Sequence, residues 1–200
     1  EEIFLIQLAR MREKIRREKK SALAIADSGL DNFLKSLPYK LTGAQNRALA
    51  DIVKDLKGPS PMARLLEGDV GSGKTAVAVA ASWITIKAGC QTAYMAPTEI
   101  LARQHFKEFC ERFSQFGWPI KIGLITSSEC LKFPSKTRPD EPTHISRSQL
   151  LRWLEQGETP MLIGTHSLIQ KSVRFKNLAL VIIDEQHRFG VGQRAKLAKK

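Results

Sequence analysis

The chain has 200 residues, of which 42% are hydrophobic, and this is enough for one domain of ordinary size with a buried core. Its formal net charge of +12 favours a polyanionic partner such as nucleic acid. No apolar run approaches the roughly 18 residues of a membrane-spanning helix, so no segment is expected to enter a membrane. Three cysteines without paired spacing argue against a disulfide framework and favour a reducing cytoplasm.

Residues 1–26 are predicted to form one long helix, with apolar residues at helical spacing near its start and alanines at its end. Basic residues outnumber acidic ones between Arg10 and Lys20, which fits either contact with nucleic acid or a solvated helix face. The helix carries too few apolar side chains for a core of its own, and the first residue is not Met. We therefore expect residues 1–30 to be a connector within a longer protein, followed by one domain over residues 31–200.

The start of that domain contains a helix, a strand, a glycine-rich loop and a second helix. Residues 45–56 predict the first helix, and Gly58 and Pro59 end it. Residues 62–66 are a short apolar run typical of a strand, and residues 76–88 are an Ala- and Val-rich run that predicts the second helix. The loop between them fits the phosphate-binding pattern G-x-x-x-x-G-K-[ST].

This loop predicts a site for a nucleoside triphosphate. Glycines allow the backbone to wrap around phosphates with its N–H groups pointing inward, and the following helix adds the positive end of its dipole. Lys74 is expected to bind the β and γ phosphates, and the hydroxyl of Thr75 is expected to hold Mg²⁺. The remaining residues expected to surround the phosphates are Gly68, Asp69, Val70, Gly71, Ser72 and Gly73.

Strands and helices continue to alternate after the loop. The aromatic residues of the helix predicted at 98–113 recur at helical spacing, so they are expected in the core rather than at a cofactor. Ser146 and Gln149 fit a capping box before a further helix at 150–155, and Gly157 ends that helix. The polar stretch 133–146 is predicted to be a surface loop. Strands are predicted at 92–96, 121–125, 161–164 and 178–183.

Two carboxylates follow the last of these strands. Residues 178–183 are continuously apolar, as expected of a strand buried on both faces, and Asp184 and Glu185 come directly after it. In a nucleotide-hydrolysing site Asp184 would hold the hydration shell of Mg²⁺, and Glu185 would orient and deprotonate the attacking water. An ordinary solvated strand end is the alternative, and the presence of Lys74 makes it the weaker one.

Strands separated by helices indicate an α/β fold with a mostly parallel sheet and right-handed crossovers. Ligands of such sheets bind at the carboxyl ends of the strands. The glycine-rich loop, Pro97, Gly164 and Asp184 all follow predicted strands, and they are expected to lie together at that edge.

The segments at the strand ends, taken in order, closely resemble the motifs of superfamily 2 helicases. Within these the chain looks most like the RecG family, bacterial DNA helicases that remodel branched DNA. The resemblance implies a RecA-like motor domain that binds ATP and Mg²⁺, a DNA partner, a DNA-binding wedge domain, a second motor domain, and a location in the bacterial cytoplasm at the nucleoid. The segments that carry it are 41–45, 96–102, 164–166 and 184–191.

The resemblance also implies roles for individual residues. Gln45 matches the glutamine that reads the adenine base, while Gln186 and His187 match residues that couple the state of the γ phosphate to neighbouring loops. Two segments match those that face the DNA backbone, and small hydroxyl and backbone donors suit phosphate contact without base reading. Capping of a helix or turn is the alternative for Thr98 and Thr165. The DNA-facing residues are Pro97, Thr98, Glu99, Gly164, Thr165 and His166.

Two other functions stay open at this point. The transcription-repair coupling translocase is similar in sequence, but it typically carries Glu where this chain has Gln186, and Gln193 and Arg194 also favour the RecG family. A non-catalytic nucleotide- or DNA-docking module is the second alternative, and Lys74 and Glu185 argue against it. The family's next motif and its arginine finger would lie beyond residue 200, so the isolated chain is expected to hydrolyse ATP negligibly.

Overall fold

A computed structural model describes residues 22–25, 29–69, 71–115, 120–135, 138–185 and 197. Its centre is a six-stranded sheet with the order β4-β3-β2-β5-β1-β6. The strands are β1 (Gln91–Met95), β2 (Ile122–Ile125), β3 (Cys130–Phe133), β4 (Thr143–His144), β5 (Met161–Gly164) and β6 (Leu178–Ile183). The helices are α1 (Leu30–Ser36), α2 (Gly43–Leu56), α3 (Lys74–Lys87), α4 (Glu99–Ser114) and α5 (Arg147–Gln156), with a 3₁₀ helix over His166–Ile169.

Four neighbouring strands, β2, β5, β1 and β6, are parallel, whereas β3 and β4 add to one edge in the antiparallel direction. Met95 at the end of β1 pairs with Gly164 of β5 and with Ile183 of β6. The segments that follow these three strands therefore start at the same edge of the sheet. This register confirms the expected α/β fold and sets the position of the candidate functional residues.

Side chains of the central strand alternate between two apolar clusters, one on each face of the sheet. Tyr94 and Ala96 belong to the cluster formed with α2, α3 and α4, while Ala93 and Met95 belong to the cluster formed with α5 and the 3₁₀ helix. Helices therefore cover both faces, as parallel sheets require. The aromatic residues of α4 lie in the first cluster, which confirms their prediction as core: Phe106, Phe109 and Phe113.

Most predicted helix ends are confirmed within one or two residues. Thr42 and Gln45 form a reciprocal capping box at the start of α2, and the hydroxyl of Ser146 accepts a hydrogen bond from the backbone N–H of Gln149. Gly157 ends α5 in the left-handed conformation with a φ of 82°. None of the described helices is long and apolar enough to cross a membrane.

The Ala-rich end of the expected N-terminal helix is not helical. The backbone N–H groups of Ala22 and Ile25 donate to the carbonyl groups of Pro59 and Leu56, both at 2.8 Å, and the side chain of Ile25 is buried. This segment therefore lies along the end of α2, because its donors and its apolar side chain find partners there. Residues 1–21 and 26–28 of the predicted connector lie outside the described part of the chain.

Three further expectations differ from the structure. Residues 62–66 have no regular secondary structure, although Met62 and Leu66 pack against the core. The predicted loop 133–146 contains the end of β3 and the whole of β4, because Lys132 pairs with Thr143 and extends the sheet. Strand β6 was expected to be buried on both faces, but it is the edge strand of the described sheet, and only Leu180 in it is fully buried.

Candidate functional site

The glycine-rich loop turns into α3 through two residues in the left-handed conformation. Gly71 and Gly73 have φ values of 82° and 76°, which side chains disfavour. A Cβ atom on Gly68 would lie 2.6 Å from the hydroxyl oxygen of Ser72 on the other side of the loop. The backbone therefore closes tightly on itself, and Lys74 and Thr75 form the first turn of α3. This is the geometry that the motif predicts for binding phosphates.

Lys74 folds back over the loop that precedes it. Its Nζ atom donates hydrogen bonds to the carbonyl oxygen of Gly68 at 2.6 Å and to that of Asp69 at 2.9 Å. Both bonds are solvent-exposed, so exchanging them for bonds to a phosphate oxygen has a low cost. The lysine is thus held at the mouth of the loop, where a phosphate would bind.

Gln45 reaches the loop from the start of α2, 27 residues away in the chain. Its Nε2 atom donates to the carbonyl oxygen of Ser72 at 2.8 Å, and its Oε1 atom accepts from the backbone N–H of Thr42 at 2.9 Å. The carboxamide therefore links the capping box to the phosphate-binding loop. This places Gln45 beside the loop as the resemblance implies, while its recognition of adenine stays a prediction.

The two carboxylates occupy a tight turn at the end of β6. The backbone N–H of Asp184 donates to the carbonyl of Met95 at 2.9 Å, which extends the sheet by one residue. Glu185 has a φ of 47° and is the one non-glycine residue in the described ranges with a positive φ. Backbone strain of this kind is concentrated at functional sites. Both residues line the same cleft.

Asp184 is bonded to a residue that the sequence prediction missed. The Nε2 atom of His105, on α4, lies 2.9 Å from Oδ2 of Asp184. This hydrogen bond lowers the pKa of Asp184; burial opposes the effect, and the positive charge of Lys74 adds a smaller contribution. The carboxylate is therefore kept ionised. A signal existed in the sequence, because His105 falls four residues before Phe109 on the buried stripe of α4, where a polar residue needs a partner.

The loop and the carboxylates share one cleft of about 550 Å³. Its polar end includes Lys74, Thr75, Asp184 and Glu185, and its apolar wall is formed by residues 62–66, α3 and β6. Within the described ranges, no group of three or more His, Cys, Asp and Glu side chains comes together. One hydroxyl and one or two carboxylates instead fit Mg²⁺, which keeps several waters and is bound through few protein ligands plus phosphates. The residues present therefore fit a magnesium–nucleotide complex.

The segment 97–99 begins α4 at the same edge of the sheet, and its side chains are bonded within the protein. The hydroxyl of Thr98 accepts from the backbone N–H of Leu101 at 3.2 Å and caps α4. Glu99 accepts hydrogen bonds from the hydroxyl groups of Ser127 and Ser128, and these lower the pKa of Glu99 to about 2. Pro97 is half-buried beside them. Capping, the alternative considered for Thr98, is thus observed, and contact of this segment with DNA stays a prediction.

Residues 164–166 lie beside that segment and differ strongly in exposure. A Cβ atom on Gly164 would collide with the backbone carbonyl of Ile125, so the close approach of β2 and β5 requires glycine. Thr165 is 2% exposed, and its hydroxyl has no hydrogen-bond partner in the described ranges. His166 is exposed. Within residues 164–166, all of which were expected to face DNA, only His166 therefore presents its side chain to solvent. Val70, Gln186 and His187 lie outside the described residues.

Comparison with known proteins agrees with this geometry. A family model described as DEAD/DEAH box helicase matches residues 42–200. The chain belongs to the DEAD/DEAH box helicase family. It is 46% identical over 202 residues to the ATP-dependent DNA helicase RecG of Thermotoga maritima, covering 100% of this chain and 24% of that relative. It is also 45% identical over 203 residues to RecG of Bacillus subtilis, covering 100% of this chain and 28% of the relative.

A solved structure of RecG has the same fold. It is described as RecG bound to a three-way DNA junction, and it matches 94% of this chain and 24% of its own chain, with a TM-score of 0.78 and 42% identity. The RecA-like fold and the resemblance to RecG are thereby confirmed. The chain spans about a quarter of the length of these relatives.

Proposed function

We propose that this chain is the first motor domain of a DNA helicase that couples ATP hydrolysis to the unwinding and remodelling of branched DNA in repair and recombination. The observation that carries the proposal is the shared cleft, in which a phosphate-binding loop with Lys74 and Thr75 faces Asp184 and Glu185. The relatives named ATP-dependent DNA helicase RecG, and the RecG structure with a three-way junction, support the choice of DNA as the partner. The activity belongs to the longer protein, with its wedge and second motor domains, acting in the bacterial cytoplasm.

The residues of the cleft divide the work of hydrolysis. Lys74 exchanges its bonds to the carbonyls of Gly68 and Asp69 for bonds to phosphate oxygens, and the N–H groups of the loop surround the phosphates. Thr75 and Asp184 would hold Mg²⁺, which neutralises phosphate charge when bound. Glu185 orients the attacking water and accepts its proton. Gln45, already beside the loop, would bind the adenine base.

The DNA backbone would lie across the loops at the carboxyl edge of the sheet. Exposed His166 and the α4 cap around Thr98 supply donors there, and backbone contacts of this kind carry no sequence information. Pro97, Glu99 and the buried Gly164 and Thr165 would shape this surface rather than bind DNA through their side chains. The net charge of +12 suits such a surface and predicts that binding weakens as salt rises.

ATP hydrolysis by the full-length protein tests this function directly. The steady-state rate is measured without DNA, with linear duplex and with forked DNA of equal length, for the wild type and for Glu185→Gln. Forked DNA is expected to stimulate the wild type more than linear duplex does, and Glu185→Gln is expected to bind ATP without turnover. Equal rates with and without both DNAs, while ATP still binds, would reject a branch-specific motor and favour a translocase that needs a protein partner, or a docking module.

A further inference from the structure

His105 and Asp184 form a partly buried pair at the centre of the site. Their side chains are 11% and 24% exposed, and Nε2 of His105 lies 2.9 Å from Oδ2 of Asp184. A carboxylate can only accept a hydrogen bond, so the proton of this bond is on Nε2. The backbone N–H of Glu185 also donates to the same carboxylate. Two donors on different elements therefore fix its orientation.

The imidazole ring is itself held in place by packing. The ring of Tyr94 on β1 lies 4.7 Å from it between centroids at an angle of 47°, and the Tyr94 hydroxyl lies 3.4 Å from Nε2. Phe109 packs edge-on against Tyr94 at 5.4 Å. Because α4 and β1 both restrain the ring, the N–H group of His105 has little freedom to turn away from Asp184. Such restraint is what an accurate donor to a functional carboxylate requires.

We propose that His105 is a positioning residue, whose Nε2–H group holds the Asp184 carboxylate in the orientation that binds Mg²⁺ together with a nucleotide. His105 lines no part of the cleft, so it would act only through Asp184. The inference rests on the proposed function to the extent that a magnesium–nucleotide complex binds there. Loss of a hydrogen-bond partner behind a metal ligand typically costs about 10- to 100-fold in metal affinity or activity.

Three variants of the full-length protein separate positioning from simple packing. His105→Phe keeps an aromatic ring of similar size against Tyr94 but removes the N–H donor. His105→Gln places an amide N–H at about the same distance from the backbone as Nε2 and restores a neutral donor. His144→Phe is the matched control, because His144 is exposed on β4 and lies at the far edge of the sheet.

The measurement is the affinity for a fluorescent, non-hydrolysable ATP analogue, first with excess Mg²⁺ and then with EDTA. The dissociation constant in EDTA divided by that in Mg²⁺ gives the gain in affinity that Mg²⁺ provides, without any turnover. We expect His105→Phe to reduce this ratio about 10-fold at unchanged affinity in EDTA. His105→Gln should recover most of the ratio, and His144→Phe should match the wild type.

Three results would overturn the inference. The ratio could be the same in His105→Phe and in the wild type, the affinity in EDTA could fall as much as that in Mg²⁺, or Gln could fail to rescue what Phe removes. A wild type whose analogue binding does not depend on Mg²⁺ would also reject it. If binding depends on Mg²⁺ and on His105, but forked DNA does not stimulate hydrolysis, then the proposed function fails and the role of His105 stands.

Discussion

Replacing Gly73 with alanine tests how the phosphate-binding loop is held. Gly73 has a φ of 76°, and a Cβ atom there would collide with Nε2 of Gln45. An alanine in the left-handed conformation costs roughly 1 kcal/mol. The collision also displaces the Gln45 carboxamide from Ser72 and Thr42, and two exposed hydrogen bonds are worth about 1 kcal/mol together. Gly73→Ala should therefore lower the free energy of unfolding by about 2 kcal/mol.

Gly89 supplies the matched control, because it follows the same helix, α3, that Gly73 precedes. Its φ is also 76°, but a Cβ atom there would meet nothing within 4 Å. Gly89→Ala should therefore cost only the conformational part, about 1 kcal/mol. In a Gln45→Ala background, Gly73→Ala should fall to the same cost, which gives a coupling of about 1 kcal/mol between Gln45 and Gly73.

Urea unfolding of residues 1–200, followed by circular dichroism, measures all these variants at constant m-value. Equal costs for Gly73→Ala and Gly89→Ala in the wild-type background would refute the role given to Gln45. So would a cost for Gly73→Ala that does not change when Gln45 is removed.

Three further predictions concern the nucleotide site and the start of α4. Lys74→Ala should abolish ATP binding while Glu185→Gln preserves it, as measured by equilibrium titration; equal losses in both would mean that Glu185 is not the base. The isolated chain should bind ATP weakly and hydrolyse it at least 10³-fold more slowly than the full-length protein, since an arginine finger is worth about 10³ to 10⁵ in rate, and comparable turnover by the two would contradict this. The hydrogen bonds from Ser127 and Ser128 hold the pKa of Glu99 at about 2, below its ordinary value of 4.5, so its stabilising effect is complete above pH 4.5 and is lost as the pH falls toward 2. Acid unfolding curves of Glu99→Gln should therefore be flatter than wild type in this range, and parallel curves would refute the assignment.

The cleft that brings Lys74 and Asp184 together could be predicted from the sequence because its residues follow local rules. Lys74 belongs to a motif whose spacing is set by one turn of backbone, and Asp184 follows a short apolar run typical of a strand. The same reasoning could not identify His105 as a partner of Asp184, because 79 residues separate them and only the packing of α4 against the sheet brings them together. It also could not show that Glu99 binds the turn at Ser127, since this contact depends on the register of β1, β5 and β2.

The errors in the predicted secondary structure also arose because contacts between distant parts of the chain cannot be read from local sequence. The segment 22–25 has the composition of a helix, but its backbone donors bond to the end of α2. Residues 62–66 have the composition of a strand, yet no described strand pairs with them. In both segments the assembled fold overrides the intrinsic preference for helix or strand: residues 22–25 bond to the end of α2, and Met62 and Leu66 pack against the core.

Helix α4 links the proposed DNA-binding segment to the candidate nucleotide site. Its first turn is tied through Glu99 to the turn after β2, and six residues later His105 holds Asp184. Six residues of α-helix span about 9 Å and behave as a rigid rod. In the proposed motor, DNA that displaces the first turn of α4 would therefore move His105, and with it Asp184, because no loop lies between these residues.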